Sequence, residues 1–561
     1  MKSRLWLSAA VAAVGTSMLV FTAFAGAAST KHVAAGKKGG TMRLNMSATD
    51  VDFSDPSLAY GTVSWQIEYA TALKLYNYPD KPKPLGGKIQ PEGAAGFPVI
   101  SANGKTYTIT VKNGFKFSDG KPVTAANYAF AINRTLSKAM QAPGAAFIDT
   151  TDASGKQTGG IVGANAVLTG AANTASGVKV KGNKLIIRLL APDGGMLAKL
   201  GMPFFQALET NLATDPKGVT VYPSAGPYYI SARDIGRQIT LKKNKFYKGS
   251  RPANVDEFDI SVNTNLDQSL LQVKSGQIDY DMGGLPPSAH SDLGATYGVN
   301  KPGGQYHVEQ LVETDYVALN TSRAPFSQVG LRKAANYAID RPAMLRTRGK
   351  YAGKRAQQIL PPGMGGYIPV NVYPMSGSNY KKAASLASGK TCGNITLVTS
   401  TSVTGQALAQ VFKYNVESSG HSSLGCKVNV KSLQGFQVYV FTGQKGADFD
   451  AVIAGWNQDY PDPYDFLDIL LNGNNIHDNN NNNLAYLDNP SVNAKLVSAN
   501  KLVGAARYKA YGNLDVLITT QFAPWASYDN RNDREFTASR VGGYLFQPAN
   551  AAADLNTLFL K

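Results

Sequence analysis

The stretch FKFSDGKPVTAANYAF, residues 115–130, decides the fold of this chain. It follows the alternating segment KTYTITVK (105–112), whose pattern is typical of a β-strand. Asp119-Gly120 marks a turn, and Thr124 is placed to cap a helix with one apolar face. The stretch therefore predicts a strand, a turn and a capped helix in immediate succession.

Three later segments are equally distinctive, and with the first they extend along most of the chain. They are AGPYY (225–229) with LKKN (241–244) and SGQID (275–279), LNT (319–321) with PF (325–326) and YAIDR (337–341), and GWNQDYPDP (455–463). In this order the four segments resemble the signature of the extracellular solute-binding proteins of the oligopeptide/dipeptide/nickel-binding family. The ordered set carries the resemblance, because no single motif decides it. Asn127 departs from the pattern, since the family usually has Asp there.

The resemblance implies an α/β, periplasmic-binding-protein-like fold of two lobes joined by a hinge, with an inserted third domain. A length of 561 residues agrees with two or three lobes. Transferred to this sequence, the segments are lobe I at 41–75, 217–305 and 536–561, the inserted small domain at 76–216, lobe II at 306–535, and hinge segments near 303–316 and 526–538.

The N-terminus predicts export from the cytoplasm. Lys2 and Arg4 precede an apolar, Ala-rich run from Leu5 to Ala28, which is typical of a secretory signal peptide over residues 1–28. An uncleaved membrane anchor is the alternative, because the run is long enough to span a bilayer. No Cys lies in this region for lipid attachment, and residues 29–40 read as a flexible lead-in. We therefore expect an extracytoplasmic protein, either secreted, periplasmic or associated with the cell envelope.

The two cysteines, Cys392 and Cys426, each stand before a predicted strand, at 394–400 and 427–430. A helix capped by Thr404 is predicted between these strands, so the strands should be parallel and both cysteines should lie at one edge of the sheet. A disulfide between them is geometrically reasonable if the strands are neighbours. Two buried thiols remain the alternative. A metal site is not expected, because His421 is the only other soft ligand nearby.

Composition and charge narrow the functional classes. With 43% hydrophobic and 17% charged residues, the chain is globular. The formal net charge is +18, but the basic residues are scattered, which favours loose attraction to an acidic envelope over nucleic-acid binding.

Sequence patterns of catalysis are weak or missing. Ser118-x-x-Lys121 matches a penicillin-recognising pattern, but it lies in a turn and has no Lys-Thr-Gly partner. No nucleophile elbow, phosphate loop or His-Glu-x-x-His sequence occurs. The histidines are isolated along the sequence, at His32, His290, His307, His421 and His477. We expect no enzyme, no cofactor and no metal.

The resemblance also implies where a ligand binds. Family members hold peptide backbones by main-chain hydrogen bonds and pair the α-amine with an Asp, which corresponds to Asp459 here. Trp456 and Asn457 should line the same wall. Core packing is the alternative for Trp456, and a turn or helix cap is the alternative for Asp459. Asp462, between two prolines, is expected to be structural.

Three further positions are candidates for ligand contact. Ser47 follows the first predicted strand, Thr41–Met46, and could offer backbone groups. Trp65 lies in a predicted helix over 62–76, where core packing is the usual role, and Tyr316 lies on a crossing strand.

The functional expectation is a monomeric solute-binding component of an ABC importer. It would capture peptides in a cleft between the lobes by hinge closure and deliver them to a membrane permease. Two alternatives stay open. One is a binding protein of the same fold for another solute, such as an oligosaccharide or a metal chelate. The other is an envelope receptor or chaperone without a transport role.

Overall fold

The computed structural model describes residues 38–561 except 48–49, 84, 152–153, 263–264, 418–423 and 436. These residues all belong to one compact unit, Gly36–Lys561. The predicted signal peptide and most of the lead-in lie outside the described residues. Within the described part, no helix has both the length and the apolar character needed to span a membrane.

The strands belong to two large sheets, one smaller sheet and several short ribbons. In chain order they are β1 (Thr41–Met46), β2 (Tyr76–Asn77), β3 (Gln90–Pro91), β4 (Val99–Ile100), β5 (Thr106–Thr110), β6 (Asp149–Thr151), β7 (Gln157–Gly160), β8 (Val178–Lys181), β9 (Lys184–Arg188), β10 (Tyr228–Asp234), β11 (Gln238–Lys243) and β12 (Glu257–Val262). They continue with β13 (Tyr280–Asp281), β14 (Tyr306–Gln310), β15 (Glu313–Leu319), β16 (Gly353–Arg355), β17 (Gly393–Ser400), β18 (Cys426–Leu433), β19 (Ala451–Asn457), β20 (Trp525–Phe536), β21 (Val541–Gly542), β22 (Phe546–Gln547), β23 (Ala552–Ala553) and β24 (Phe559–Leu560).

The helices alternate with these strands along the chain. They are α1 (Thr62–Thr71), α2 (Ala125–Leu136), α3 (Ala145–Ile148), α4 (Ala164–Leu168), α5 (Met196–Lys199), α6 (Leu266–Lys274), α7 (His290–Tyr297), α8 (Val329–Ala338), α9 (Arg341–Arg346), α10 (Tyr380–Ala387), α11 (Val403–Glu417), α12 (Gln437–Thr442), α13 (Tyr464–Leu471), α14 (Pro490–Asn500) and α15 (Gly504–Leu517). Short 3-10 turns occur at Leu85–Gly87, Pro203–Phe205 and Gly473–Asn475, and a π-turn at Ile518–Phe522 extends α15.

The first large sheet has the strand order β10-β11-β12-β1-β13. Its strand β1 is parallel to both neighbours, with Thr41 opposite Glu257 and Leu44 opposite Tyr280. β11 is antiparallel to β10 and β12. The side chains of Met42 and Leu44 are fully buried in a core that they share with residues of α1 and β12. The predicted strand over Thr41–Met46 is confirmed.

The second large sheet has the order β14-β20-β15-β19-β17-β18, and β16 pairs with β20. Every residue of β15 is buried, and this strand is antiparallel to both β19 and β20. The sheet has its own apolar core, in which Leu319, Leu397 and Phe412 are fully buried. Two α/β sheets with separate cores confirm the predicted two-lobe fold class.

Strand β20 connects the two large sheets. At its beginning it pairs with β15, and at its end it pairs with β14, with Tyr306 opposite Phe536. Tyr306 and Phe536 pack in the core of the first sheet, whereas Tyr528 packs in that of the second. The predicted hinge segments thus pair with one another as antiparallel strands. The exact domain boundaries stay a prediction.

The predicted strand at 105–112 contains β5 of the smaller sheet, whose order is β4-β5-β9-β8, and helix α2 packs beside this sheet. Between them, Lys116 and Pro122 form an isolated antiparallel bridge around the turn. Thr124 precedes α2, and its backbone N–H donates to Asn127 Oδ1 at 2.8 Å. Asn127 Nδ2 donates to the carbonyl of Leu208 at 2.8 Å. An ionised Asp has no donor, so the departure from the family pattern adds a hydrogen bond between α2 and the segment that follows α5.

The Cys392–Cys426 disulfide is present, with the two Cα atoms 4.6 Å apart. It forms because β17 and β18 are parallel neighbours, with Gly393 opposite Cys426. One local prediction was wrong: Thr404 lies within α11, and the side-chain oxygen that accepts a backbone N–H at the start of this helix, from Gly405 at 3.0 Å, is that of Ser402.

We expect replacement of both cysteines by Ser to lower the free energy of unfolding by about 3–4 kcal/mol, because the bridge closes a long loop in the unfolded chain. Urea unfolding followed by circular dichroism measures the change. Dithiothreitol should destabilise the wild type to the same extent and leave the double variant unaffected. A wild type that does not respond to dithiothreitol would contradict the prediction.

Candidate functional site

A cavity of about 540 Å³ lies between the two large sheets. One wall comes from α1, from β13 and from the segment after β13, and includes Gln66 and Asp281. The opposite wall comes from β15 and β19, and includes Glu313 and Asn457. The last part of β20, residues 531–535, closes one side. Its volume is within the range of small-molecule sites, which is typically about 300–1,000 Å³.

Asn457 is the predicted site residue that lines this cavity. It stands at the end of β19 directly opposite Glu313 in the antiparallel pairing with β15, so the two side chains share a face. Its Oδ1 is buried without a hydrogen-bond partner. An acceptor in this state costs free energy unless a ligand or water supplies a donor.

Asp459 follows β19 and is partly exposed. Its Oδ2 accepts a hydrogen bond of 2.7 Å from the Tyr60 hydroxyl, and its backbone N–H donates to Asp465 Oδ2 at 2.8 Å. Burial raises the pKa of Asp459 to about 7, although the hydrogen bonds from Tyr60 and Asp465 oppose the rise. Burial and the neighbouring Asp459 also raise the pKa of Asp465. Two carboxyl groups so close together disfavour each other's ionised form, and a bound cation would stabilise that form.

Trp456 lies beside this pair of carboxyl groups. Its Nε1 donates to Asp465 Oδ2 at 3.2 Å, and its ring packs partly buried against the core. The predicted neighbourhood of Trp456 with Asp459 is therefore present, and Asp465, which the sequence analysis missed, links them. Asp462 is held by Arg507 through contacts of 2.7 and 3.0 Å in a buried pair, as its expected structural role requires.

Tyr60 was not predicted from the sequence. It lies just before α1, and its ring packs against Trp65 at 5.7 Å and Phe204 at 5.6 Å between centroids. Its hydroxyl reaches Asp459, nearly four hundred residues away in the sequence. The nearby sequence YGT resembles many turns, so only the three-dimensional structure identifies this contact.

Trp65 packs against the ring of Tyr60, whose hydroxyl is hydrogen-bonded to Asp459. Trp65 is 6% exposed, and its Nε1 donates to the carbonyl of Ala59 at 2.8 Å. Its indole therefore packs as part of an aromatic cluster and does not line the cavity. A ligand contact by Trp65 stays a prediction that this position does not favour.

Ser47 and Tyr316 are both buried. The backbone N–H of Ser47 donates to Asp281 Oδ1 at 3.1 Å, so Ser47 orients a residue of the cavity wall. Tyr316 is stacked on Trp525 with centroids 3.5 Å apart and is 1% exposed. This position indicates core packing for Tyr316.

Paired ionisable groups surround the hinge strands next to the cavity. Arg531 pairs with Glu313 at 3.1 Å, and Arg348 pairs with Asp315 at 2.6 Å. Glu535 accepts hydrogen bonds from the hydroxyls of Tyr280 and Tyr544. Burial raises the pKa of Glu313 to about 7 and that of Glu535 to about 8. This network could not be predicted from the sequence, because its members come from β13, β15, β20 and two loops that are distant along the chain.

Lys121 of the Ser118-x-x-Lys121 sequence is engaged in ion pairs. Lys121 Nζ pairs with Asp119 and Glu209, both at 2.7 Å, so it is held by two carboxylates. Among the described residues, no group of three or more His, Cys, Asp or Glu side chains could hold a metal ion.

We expect the protein to become less stable as the pH rises from about 5 to 8.5. Burial raises the pKa of Glu68, Asp529 and Glu535 to about 8, and such carboxyl groups titrate near 4 when unfolded. The folded state then binds more protons than the unfolded state in this interval, so the free energy of unfolding falls by up to about 1.4 kcal/mol per pH unit for each group.

Thermal unfolding at several pH values measures this dependence. Glu68→Gln should flatten the pH dependence, because the amide keeps the acceptor for Tyr222 and does not titrate. The surface variant Asp234→Asn should follow the wild type. A melting temperature that is constant or rises over this interval would contradict the prediction.

Comparison with known proteins identifies the fold and the relatives. Residues 88–478 match the family model described as bacterial extracellular solute-binding proteins, family 5 Middle. The chain is 25% identical over 488 residues to the oligopeptide-binding protein OppA of Bacillus subtilis (strain 168), covering 82% of this chain and 84% of the relative.

Two solved structures have a similar fold. Clavulanic acid biosynthesis oligopeptide binding protein 2 superposes with a TM-score of 0.80 at 20% identity, covering 93% of this chain and 96% of that one. The periplasmic binding protein DppA from Helicobacter pylori in complex with peptide STSA superposes with a TM-score of 0.76 at 18% identity, covering 93% and 98%.

Proposed function

Because the chain belongs to the bacterial extracellular solute-binding proteins of family 5, we propose that it captures peptides outside the cytoplasm and delivers them to an ABC-type permease. Members of this family are binding proteins rather than enzymes. The cavity between the two sheets is the proposed peptide site. Relatives named for oligopeptide binding, and a fold neighbour in complex with a peptide, support this choice of ligand class.

The observation that carries the proposal is the carboxylate of Asp459 beside the cleft. It is partly exposed, its backbone is fixed through Asp465, and its Oδ2 already accepts a hydrogen bond from Tyr60. An ammonium group that replaces or shares this bond would form a charge-assisted pair, which is stronger than a neutral hydrogen bond. We assign Asp459 to the α-amine of the peptide.

Asn457 extends the proposed site from Asp459 into the cavity. The two residues are separated by one position along the chain, and the unpartnered Oδ1 of Asn457 can accept a main-chain N–H of the ligand. Gln66 and Thr62 of α1 line the opposite wall. A peptide backbone between these walls would touch both sheets at once, which favours the closed arrangement of the lobes.

The hinge of the proposed closure is the antiparallel pair of β14 and β20. Strand β20 contributes residues to both cores, and β14 is followed directly by β15 of the second sheet, so rotation within this pair changes the distance between the cavity walls. The lobe boundaries at 41–75, 217–305 and 536–561, and at 306–535, are part of the proposal. Export by the N-terminal signal, a permease partner and a monomeric state are also part of it.

An oligosaccharide or a metal chelate is the alternative ligand class. Sugars are usually held by stacked aromatic faces and neutral hydrogen bonds, whereas the cavity walls here carry the ionisable groups Asp281, Glu313, Arg531 and Glu535. The charged walls favour a ligand with charged groups, as a peptide has.

Native mass spectrometry of the protein secreted by a producing cell should release a mixture of peptides. The cavity is polar and the contacts to the backbone are independent of sequence, so several peptides should be found. A denatured and refolded sample of the same protein is the control for carried-over material. A uniform series of hexose masses would contradict the peptide assignment.

Asp459→Ala should weaken the binding of a free-amine peptide by more than about tenfold, because the buried ammonium loses its charged partner. Isothermal titration calorimetry measures the change. The matched controls are Asp459→Asn, which keeps the size of the side chain, and the N-acetylated form of the same peptide, which should bind wild type and variants about equally. Unchanged affinity of Asp459→Ala for the free-amine peptide would remove Asp459 from the site.

A further inference from the structure

The cavity has hydrogen-bond acceptors on opposite walls that the protein leaves unpartnered. Glu313 Oε2 and Asn457 Oδ1 are on one wall, and Asp281 Oδ2 is on the other. Glu313 is 3% exposed and Asp281 is 5% exposed. Each oxygen is buried without a hydrogen bond, which costs free energy in a folded protein unless a donor is supplied from elsewhere.

The unpartnered oxygens are held in place by the bonds of their own side chains. Asp281 Oδ1 accepts the backbone N–H groups of Ser47 at 3.1 Å and Gly283 at 2.7 Å, which fixes the carboxylate and leaves Oδ2 free. Glu313 Oε1 is paired with Arg531 at 3.1 Å, so Oε2 is the atom that remains. Asn457 faces Glu313 across the pairing of β15 with β19.

The neighbouring cations are already engaged. Arg531 pairs with Glu313, and Arg348 pairs with Asp315 and Asp529. Arg534 NH1 donates to the carbonyls of Arg348 and Lys350. Burial lowers the pKa of His290 to about 3, so this ring is neutral.

The carboxyl groups in and behind the wall outnumber these arginines. They are Asp281, Glu313, Asp315, Asp529, Asp533 and Glu535. Burial raises the pKa of Glu313, Asp529, Asp533 and Glu535, which agrees with a shortage of positive charge around them.

We propose that Glu313, Asn457 and Asp281 form a second cation site in the cleft, separate from Asp459, that binds an ammonium or guanidinium group of the ligand. The inference rests on the proposed function and adds a ligand preference, for peptides with a basic side chain. A guanidinium suits the site best, because its planar fork of five N–H donors can serve several acceptors at once. A ligand that binds in the reverse direction would place its α-amine there.

The test uses equimolar alanine-based peptides of two to eight residues in which one residue is Arg or norleucine, each with a free or an acetylated amine. Competition for the intact protein is read by native mass spectrometry, and the tightest binders are then measured by calorimetry. We expect Arg peptides to bind at least about tenfold more tightly than the matching norleucine peptides, with or without the acetyl group.

Two variants connect the preference to the residues. Glu313→Gln and Asp281→Asn should each reduce the preference for Arg by about tenfold, because each removes one charge and keeps one acceptor oxygen. Asp281→Asn keeps the oxygen that Ser47 and Gly283 use, so it gives a folded variant even if Glu313→Gln unfolds. The control Asp234→Asn removes a carboxylate that is 60% exposed and should keep the preference.

Each outcome decides between the proposals. If the variants affect the free-amine norleucine peptides rather than the Arg peptides, the second cation site stands and its occupant is the α-amine. If peptides bind but the variants change the affinity of neither the Arg peptides nor the free-amine norleucine peptides, the second site is wrong and the proposed function stands. If no peptide of any length binds, both proposals fail together.

Discussion

The structure depends on the pairing of β20 with strands on both sides of the cleft. In twelve residues this strand leaves the core of the second sheet, pairs with β15 and then β14, and reaches the core of the first. A backbone bridge between Tyr280 and Thr537 continues the connection to β13. Because strand hydrogen bonds must be satisfied along the whole of β20, the two sheets cannot be placed independently of the hinge.

Strand β20 also brings charge to the cleft. Residues 531–535 all line the cavity, and Arg531, Asp533, Arg534 and Glu535 among them are ionisable. Arg531 pairs with Glu313, and Glu535 accepts hydrogen bonds from two tyrosine hydroxyls. Such pairs contribute little net stability, but they fix the orientation of polar groups that a ligand can use.

Much of the fold could be predicted from the sequence, and less of the site. Local patterns were sufficient for β1 and for the parallel strands that bring Cys392 next to Cys426. The helix expected over 62–76 ends at Thr71, because the chain becomes extended at Ala72, and no Gly or Pro marks that end. Asp459 was proposed as a ligand contact because a whole motif surrounds it. Tyr60 and Asp281 were not, because each is connected to the proposed site only through partners that are distant in the sequence.

If Asp459 binds the ligand amine as proposed, its hydrogen bond from Tyr60 has a consequence for ligand release. A ligand amine would replace the hydrogen bond from Tyr60 with a stronger, charge-assisted one. The binding free energy gained at Asp459 would then be only the difference between the two bonds. In the proposed binding mode, the Tyr60 hydroxyl would compete with the ligand amine for Asp459. A transport protein has to release its ligand as well as bind it. Competition from a hydroxyl group of the protein itself would lower the affinity for the ligand and speed its dissociation.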